Sequence, residues 1–216
     1  MVSVAEQIYH RHHQERRRES FAIFETERGK LFKALIGTGK KILDLGCRDG
    51  IITKYFAEGN DVIGADIDAG ALEKAKSALN IKTVHFDLNQ TIWPLENNYF
   101  DVVVAAEIIE HLFFPNVVLG RISKFIKPGG MIIGSVPNAF SIKCRLKYAL
   151  ADKRGTPLQD PMHINQFSWR EFKNLLKNNF SQVNLFPLGK KYYGLAGVFP
   201  GLLVHSIAFS ARKDKN

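Results

Sequence analysis

The chain of 216 residues reads as an α/β fold with a largely parallel sheet covered by helices on both faces. Three observations predict this. Between residues 41 and 136, short apolar runs bounded by Gly, Asn and Asp alternate with amphipathic stretches, the pattern of successive βαβ units. The runs are apolar on both sides rather than alternating, as strands of a parallel sheet buried on both faces must be. The composition, 45% hydrophobic and 24% charged, is that of a globular chain and excludes a disordered or fibrous protein. The length suits one domain with a small extension.

The elements follow in order. Residues 4–36 have no Pro, many Glu and Arg, and apolar side chains at Phe21, Phe24, Leu31, Phe32 and Leu35. They predict one or two helices, stopped by Gly37 and Gly39. We set this extension at residues 1–39 and the main domain at 40–216. Residues 41–45 form a short buried strand. Residues 50–58 read as a helix closed by Gly59 and Asn60, and residues 61–65 as a second strand. Residues 71–79 form a helix with Leu72, Ala75 and Leu79 on one face. Residues 82–86 are a third strand. Residues 100–106, the most apolar run, belong at the centre of the sheet. A helix over 116–126 ends at Pro128, Gly129 and Gly130, and residues 131–136 make the next strand.

The alternation then stops. Residues 138–161 hold no clear strand and carry Lys143, Arg145, Lys147, Lys153 and Arg154, so they read as a lid-like insertion over the carboxyl edge of the sheet. Ser168 with Glu171 three residues on is a capping-box signature for a helix over 169–177, with Phe172, Leu175 and Leu176 inward. Residues 181–188 and 202–210 read as two final strands, joined by a loop long enough for an antiparallel pair.

Charge is divided unevenly. Residues 1–120 hold 14 basic and 17 acidic side chains, residues 121–216 hold 16 and 4, and the net charge is +9. The second half either faces something anionic or is a solvated Lys-rich surface. Cys47 and Cys144 are too few for a disulfide framework and lack metal-ligand spacing, which points to a reducing, cytoplasmic setting. No apolar run reaches the ~18 residues of a membrane span, and residues 1–18 lack the apolar segment of a secretory signal.

The sharpest chemical signal is at residues 42–50. A buried strand ending in Asp44 and Leu45 runs into a turn with Gly46, Cys47, Arg48 and Gly50. Gly46 permits close backbone approach to a ligand, and a helix start beyond it offers unpaired N–H groups. Asp44 stands at the strand's carboxyl end, where open α/β sheets bind ligands; a carboxylate there suits a cationic or amine-bearing ligand. Asp66 ends the second strand 22 residues later, the separation at which an acid accepts ribose hydroxyls. Asp87 ends the third strand, 21 residues further, placed for an adenine amine. Singly each is a common turn former; three in register are not.

These residues resemble a class I S-adenosylmethionine-dependent methyltransferase. The likeness spans about residues 40–190, from the Asp44 turn through Asp66, Asp87 and the stretch from Glu107 to His111 to the Pro128-Gly129-Gly130 turn. It is similar in particular to the ubiquinone-biosynthesis O-methyltransferase-like group. The resemblance implies a Rossmann-like sheet of seven strands, mostly parallel, the last antiparallel. It also implies that Asp44 and residues 46–50 line the methionine moiety, that Asp66 with Ile67 holds the ribose and Asp87 with Leu88 the adenine, and that Ala106 and Glu107 complete the cofactor site. S-adenosylhomocysteine is the implied product. Many members carry Gly where Arg48 stands. Either Arg48 accepts a left-handed backbone and points outward, with Asp49 as a candidate partner, or the site is weakened.

Glu107, Glu110 and His111 follow the fourth strand, at helical spacing that puts them near one face, and His163 lies downstream. Two carboxylates and two imidazoles suit Mg²⁺, Mn²⁺ or Zn²⁺. The resembling ubiquinone and small-RNA 2′-O-methyltransferases place a metal there, yet metal-free relatives carry Glu-His too; a divalent metal is possible and not favoured. Glu110, His111 and His163 are the candidate catalytic residues, with the two histidines as bases. Residues 140–150 mix apolar and basic side chains at helical spacing, for a packed lid helix, phosphate or a peripheral membrane surface. The run from His10 to Arg18 reads as an exposed mixed-charge helix. Cys47 is expected as a packing residue, and Trp93 with Pro94 either at the cofactor's edge or in the core. The functional expectation is O-methylation of a small molecule of quinone, lipid or sugar type. The alternatives are an RNA 2′-O-methyltransferase, for which the chain shows no separate nucleic-acid module, and a catalytically silent cofactor-binding protein.

Overall fold

The computed structural model describes residues 4–15, 21–189 and 198–215. Seven strands form one sheet: β1 (Lys41–Leu45), β2 (Asp61–Asp66), β3 (Lys82–His85), β4 (Phe100–Ala106), β5 (Ile126–Pro137), β6 (Ser181–Leu188) and β7 (Ser206–Arg212). Their order is β3-β2-β1-β4-β5-β7-β6, with β4 at the centre as its apolarity predicts. The pairings from β3 through β5 are parallel, and β7 runs antiparallel to both of its neighbours. The seven-stranded Rossmann-like sheet with an antiparallel last strand is therefore the observed architecture. Strand order reverses between β1 and β4, and the crevice beyond the carboxyl ends at such a point is where open α/β sheets take ligands.

Strand alternation divides the core into two layers. Leu43, Leu45, Val103 and Ala105 pack with α4 (Pro115–Phe125) and α6 (Trp169–Lys177) through Leu119, Ile122, Phe172 and Leu176. Ile42, Val102, Val104 and Ile133 face the other way, onto Phe32 and Ile36 of α2 (Glu25–Ile36). The N-terminal extension comprises α1 (Val4–Glu15) and α2, and α2 is thus part of the core. The α6 capping box at Ser168 and Glu171 is formed as the sequence predicts.

Several boundaries differ from the sequence reading. Residues 50–58 form no α-helix; only a single 3-10 turn, Thr53–Tyr55, is present. Thr53 is wholly buried and its hydroxyl is drawn down to Asp44, and Gly50 at φ +83° breaks helical geometry. The next helix, α3 (Ala69–Leu79), begins two residues early because Asp68 caps it through the Ala71 amide. Helix α4 ends at Phe125, and Ile126 is already extended and paired with Phe100, so the Pro-Gly-Gly segment lies within β5 and not in a turn before it. The last strand starts at Ser206, not Leu202. Pro200 instead opens a short helix, α7 (Pro200–Leu203). The insertion holds α5 (Ile142–Ala149), capped by Ser141. Trp93 is a core residue stacked on Phe125, with ring centroids 5.4 Å apart. Residues 16–18 of the basic N-terminal run lie outside the described residues, as do residues 190–197 of the last loop.

Candidate functional site

The turn after β1 sets the floor of the site. Gly46 has φ +70°, and its N–H donates to the Ala65 carbonyl at 2.7 Å. A side chain there would lie 2.0 Å from Ile108 Cδ1, so only glycine lets this backbone come close. Arg48 takes the left-handed conformation, φ 50°, and its N–H donates to Asp66 Oδ2 at 2.9 Å. Its guanidinium turns to the Phe21 carbonyl, 3.4 Å, and to Asp49, 3.9 Å. Arg48 thus accepts the left-handed backbone, and the carboxylate at the end of β2 ties down the strained residue. The other oxygen of Asp66 accepts the Asp68 N–H at 2.9 Å. Burial raises the Asp66 carboxyl above its usual range, and these two amides oppose the shift.

Asp44 lies deeper. It accepts the Thr53 hydroxyl at 2.7 Å, and burial, with the charge of Asp66 adding to it, pushes its carboxyl up to about 7. Asp87 stands just past the end of β3 and accepts the Asn89 N–H at 2.8 Å. Cys47 is buried beside Gly64, and burial raises its thiol well above the ordinary value, as befits a packing residue.

The segment after β4 is arranged differently from the helical turn expected. Glu107 has φ 56°, and its Oε1 accepts Arg28 at 2.9 Å, Ser135 Oγ at 2.8 Å and Ser206 Oγ at 3.1 Å. It is held there, away from the group that Glu110 and His111 form. A 3-10 turn, Ile109–His111, then buries Glu110 and aims His111 at the insertion. The backbone carbonyl of Met162 can only accept, so His111 Nδ1, 2.8 Å away, carries the proton in the neutral ring. His163 Nδ1 is bound in the same way to the Pro157 carbonyl at 3.0 Å. Both rings thus carry their basic nitrogen at Nε2. The rings stand 4.8 Å apart, and His111 Nε2 is 3.9 Å from Glu110 Oε1. One donor atom each from Glu110, His111 and His163 gathers within 4.8 Å, a set of a type that divalent ions take. Asn165, just past the insertion, ties the chain there to this turn, donating to the carbonyls of Glu110 and Leu112.

Helix α1 crosses the opening. Tyr9 enters the wall with its ring centroid 6.3 Å from that of His111. His10 Nδ1 is 3.0 Å from Asp68, and Glu6 is 3.4 Å from His85. Burial first, and then the charges of Asp87, Asp66, Glu110 and Asp160, push the Tyr9 phenol up to about 12, so it remains protonated. Tyr9, which precedes the run expected as an exposed helix, helps close the site, while His10 and Arg11 of that run are exposed.

These parts enclose one cavity of about 530 Å³. Asp44, Gly46, Cys47, Arg48, Asp66, Ile67, Asp87, Leu88, Ala106 and Glu107 line it, and so do Glu110, His111 and His163. Gly50 does not; it lies against Leu79 and Ala75, where it lets the turn pack on α3. Sequence reasoning missed Tyr9, Asp160 and Arg28, all in the wall. For Arg28 a signal existed: it shares the i, i+4, i+8 stripe of Phe32 and Ile36, so a charge stands where the helix faces inward. It is 2% exposed, and its Nε has no hydrogen-bond partner among the described residues.

A family model described as a methyltransferase domain matches residues 11–180. The chain belongs to that family. Among curated relatives, the ubiquinone biosynthesis O-methyltransferase of Erwinia tasmaniensis is 35% identical over 105 residues, 46% of this chain and 43% of the relative. That of Vibrio atlanticus is 39% identical over 105 residues, 46% of this chain and 44% of the relative. This methyltransferase-family chain thus aligns with less than half the length of these relatives. A solved S-adenosylmethionine-dependent methyltransferase of Archaeoglobus fulgidus superposes with TM-score 0.66 at 18% identity, over 91% of this chain and 97% of that one. A Thermotoga maritima structure described as such an enzyme, possibly a histamine N-methyltransferase, gives 0.70 at 15%, over 99% and 100%. These two likenesses establish the fold.

S-adenosylmethionine is the cofactor of this class, and the cavity fits it on its own chemistry. The ammonium charge matches the buried Asp44 carboxyl, and the ribose hydroxyls match the buried Asp66 carboxylate. The methionine carboxylate matches the unsatisfied Arg28 Nε.

Proposed function

We propose that the protein methylates an oxygen of a small acceptor of quinone, lipid or sugar type, with His111 as the base. The observation that carries this reading is the pinned imidazole pair. His111 and His163 each have Nδ1 bound to a backbone carbonyl and carry the basic lone pair at Nε2, in the wall of the cavity that holds the strand-end carboxylates. Bound S-adenosylmethionine supplies an activated methyl group on a sulfonium. Asp66 with Ile67 is placed to hold the ribose, Asp87 with Leu88 the adenine edge, Asp44 the ammonium end and Arg28 the carboxylate. Those contacts fix the donor, and helix α1 and the insertion exclude water around it. An acceptor hydroxyl then loses its proton to His111 Nε2, and Glu110 beside the ring favours the imidazolium that results. Tyr9, a phenol that stays protonated, is placed to donate to the acceptor. The similarity to ubiquinone O-methyltransferases supports oxygen as the accepting atom, and the cavity of about 530 Å³ supports a small acceptor.

The test is methyl transfer to a panel of catechols, polyprenylated phenols and glycosides, with and without chelator, beside calorimetric titration with S-adenosylhomocysteine. Binding of the product together with transfer that survives chelation is expected. Binding without transfer to any acceptor would favour the catalytically silent alternative, and loss of transfer with chelator would replace the base by a metal held at Glu110, His111 and His163.

A further inference from the structure

The two N-terminal helices are held to the body by different means. Helix α2 is anchored by Phe32 and Ile36, both buried in the layer under β1 and β4. Among its described side chains, α1 gives no residue to either layer of the core, and its Ile8 is half exposed. A segment that buries so little apolar surface opens at far lower cost than the fold as a whole.

The contacts that do hold α1 are polar and lie along one side. Glu6, Tyr9 and His10 are spaced i, i+3 and i+4 and share a face of the helix. Glu6 is 3.4 Å from His85, and His10 is 3.0 Å from Asp68. Both imidazoles are half exposed, so each contact is weak beside a buried pair. Both anchor points belong to the donor wall. Asp68 donates its N–H to Asp66, and His85, two residues before Asp87, donates its Nε2–H to the Ile67 carbonyl at 2.8 Å. Tyr9, between the two contacts in sequence, reaches toward His111. The charges that act on its phenol are those of Asp87 and Asp66 on the donor side and of Glu110 and Asp160 on the other. Helix α1 therefore lies over the ends of β2 and β3, and a nucleoside seated against Asp66 and Asp87 lies beneath it.

We propose that α1 is a strap that lifts from the ends of β2 and β3 to let the donor in and its product out, with Glu6 to His85 and His10 to Asp68 as the clasp. The clasp joins protein to protein, so it sets how fast the donor exchanges rather than how tightly it is held. A barrier shared by entry and exit changes both rates by the same factor and leaves their ratio alone. The strap rests on S-adenosylmethionine as the occupant of the cavity and is independent of the acceptor, the base and any metal.

The experiment measures association and dissociation of S-adenosylhomocysteine by rapid mixing with the full chain, for the wild type and for Glu6→Ala with His10→Ala. Alanine is the strongest helix former, so the variant keeps α1 helical while removing the clasp. Both rate constants should rise together, roughly three- to tenfold for the loss of two half-exposed contacts, with the dissociation constant within about twofold of the wild type. Hydrogen exchange followed in parallel should be faster in α1 of the variant and unchanged in α2 and the sheet, which also reports that the variant is folded. Rates that do not move would overturn the strap. So would a dissociation rate that rises alone with a matching loss of affinity, which would make α1 a wall in direct contact with the donor. Absence of binding by the wild type would remove the cofactor reading and the strap with it, whereas wild-type binding with unmoved variant rates removes the strap alone.

Discussion

The donor side of the cavity and its acceptor side are built by different means. Asp44, Asp66 and Asp87 sit at or just beyond the ends of β1, β2 and β3, three parallel neighbours, and the turn that joins them is closed by local backbone bonds such as Gly46 to Ala65 and Arg48 to Asp66. His111, His163 and Tyr9 come from a 3-10 turn, the segment just after the insertion and the N-terminal helix, and meet only through tertiary packing. Regular strands place side chains to a fraction of an ångström, whereas loops and helices laid over an edge are free to differ. The difference predicts that donor binding and acceptor chemistry can be damaged separately.

The sharpest separation is expected at His111. His111→Asn removes the base and should lower kcat by about 10²–10⁴, while the dissociation constant for S-adenosylhomocysteine, read by calorimetry, stays within about twofold of the wild type. A loss of cofactor affinity as large as the loss of turnover would mean that the two sides are one unit, and the comparison would fail.

Arg28 tests the boundary from the other side, because it belongs to an N-terminal helix yet is the residue proposed to meet the donor's carboxylate. Arg28→Met should weaken S-adenosylhomocysteine roughly 10–100-fold, the ~1.5–3 kcal/mol of a charge-assisted hydrogen bond. An analogue of the product lacking the carboxylate should bind the wild type with a similar deficit, and the variant should lose little more. Full additivity of the two losses would show that the guanidinium and the carboxylate do not meet, and would leave Arg28 as a structural partner of Glu107.

What was legible in the sequence follows the same division. Strand periodicity marked the sheet, and the Gly46 turn and the three acids marked one wall of the cavity, because each is specified within a few residues. The helix expected over 50–58 failed because a tertiary bond, Thr53 to Asp44, outweighs local propensity. The spacing of Glu107, Glu110 and His111 implied a helical turn, but Glu107 is drawn to Arg28, Ser135 and Ser206, residues 79, 28 and 99 positions away. The part of α1 that reaches the site gave no local signal, because its partners lie far along the chain, Glu6 at His85 and His10 at Asp68. No local pattern encodes such pairings. Where the sequence put a charge on an apolar stripe, at Arg28, the signal was present.

The smallest expected effect probes how far the donor wall depends on its ligand. With the Asp44 carboxyl at about 7 in the free protein, a cationic ligand favours the ionised form. Above pH 7 that form already prevails and affinity is flat. Below it, binding must expel a proton, so affinity falls, by roughly tenfold at one unit below the pKa. The same shift acts on the free fold in the opposite sense. A folded pKa above the unfolded value disfavours the ionised carboxylate, so stability declines as pH rises from about 4 to 7 and stays reduced above. Asp44→Asn keeps an acceptor for Thr53 and removes the charge. Thermal unfolding at pH 8 should show the variant more stable than the wild type, by on the order of 3 kcal/mol, while calorimetry shows weaker binding whose pH dependence has flattened. A variant less stable at pH 8, or one that retains the wild-type pH profile, would move the titrating group elsewhere in the cavity. The expected result would instead identify Asp44 as a buried charge kept at the expense of the free fold because the cofactor's cation neutralises it.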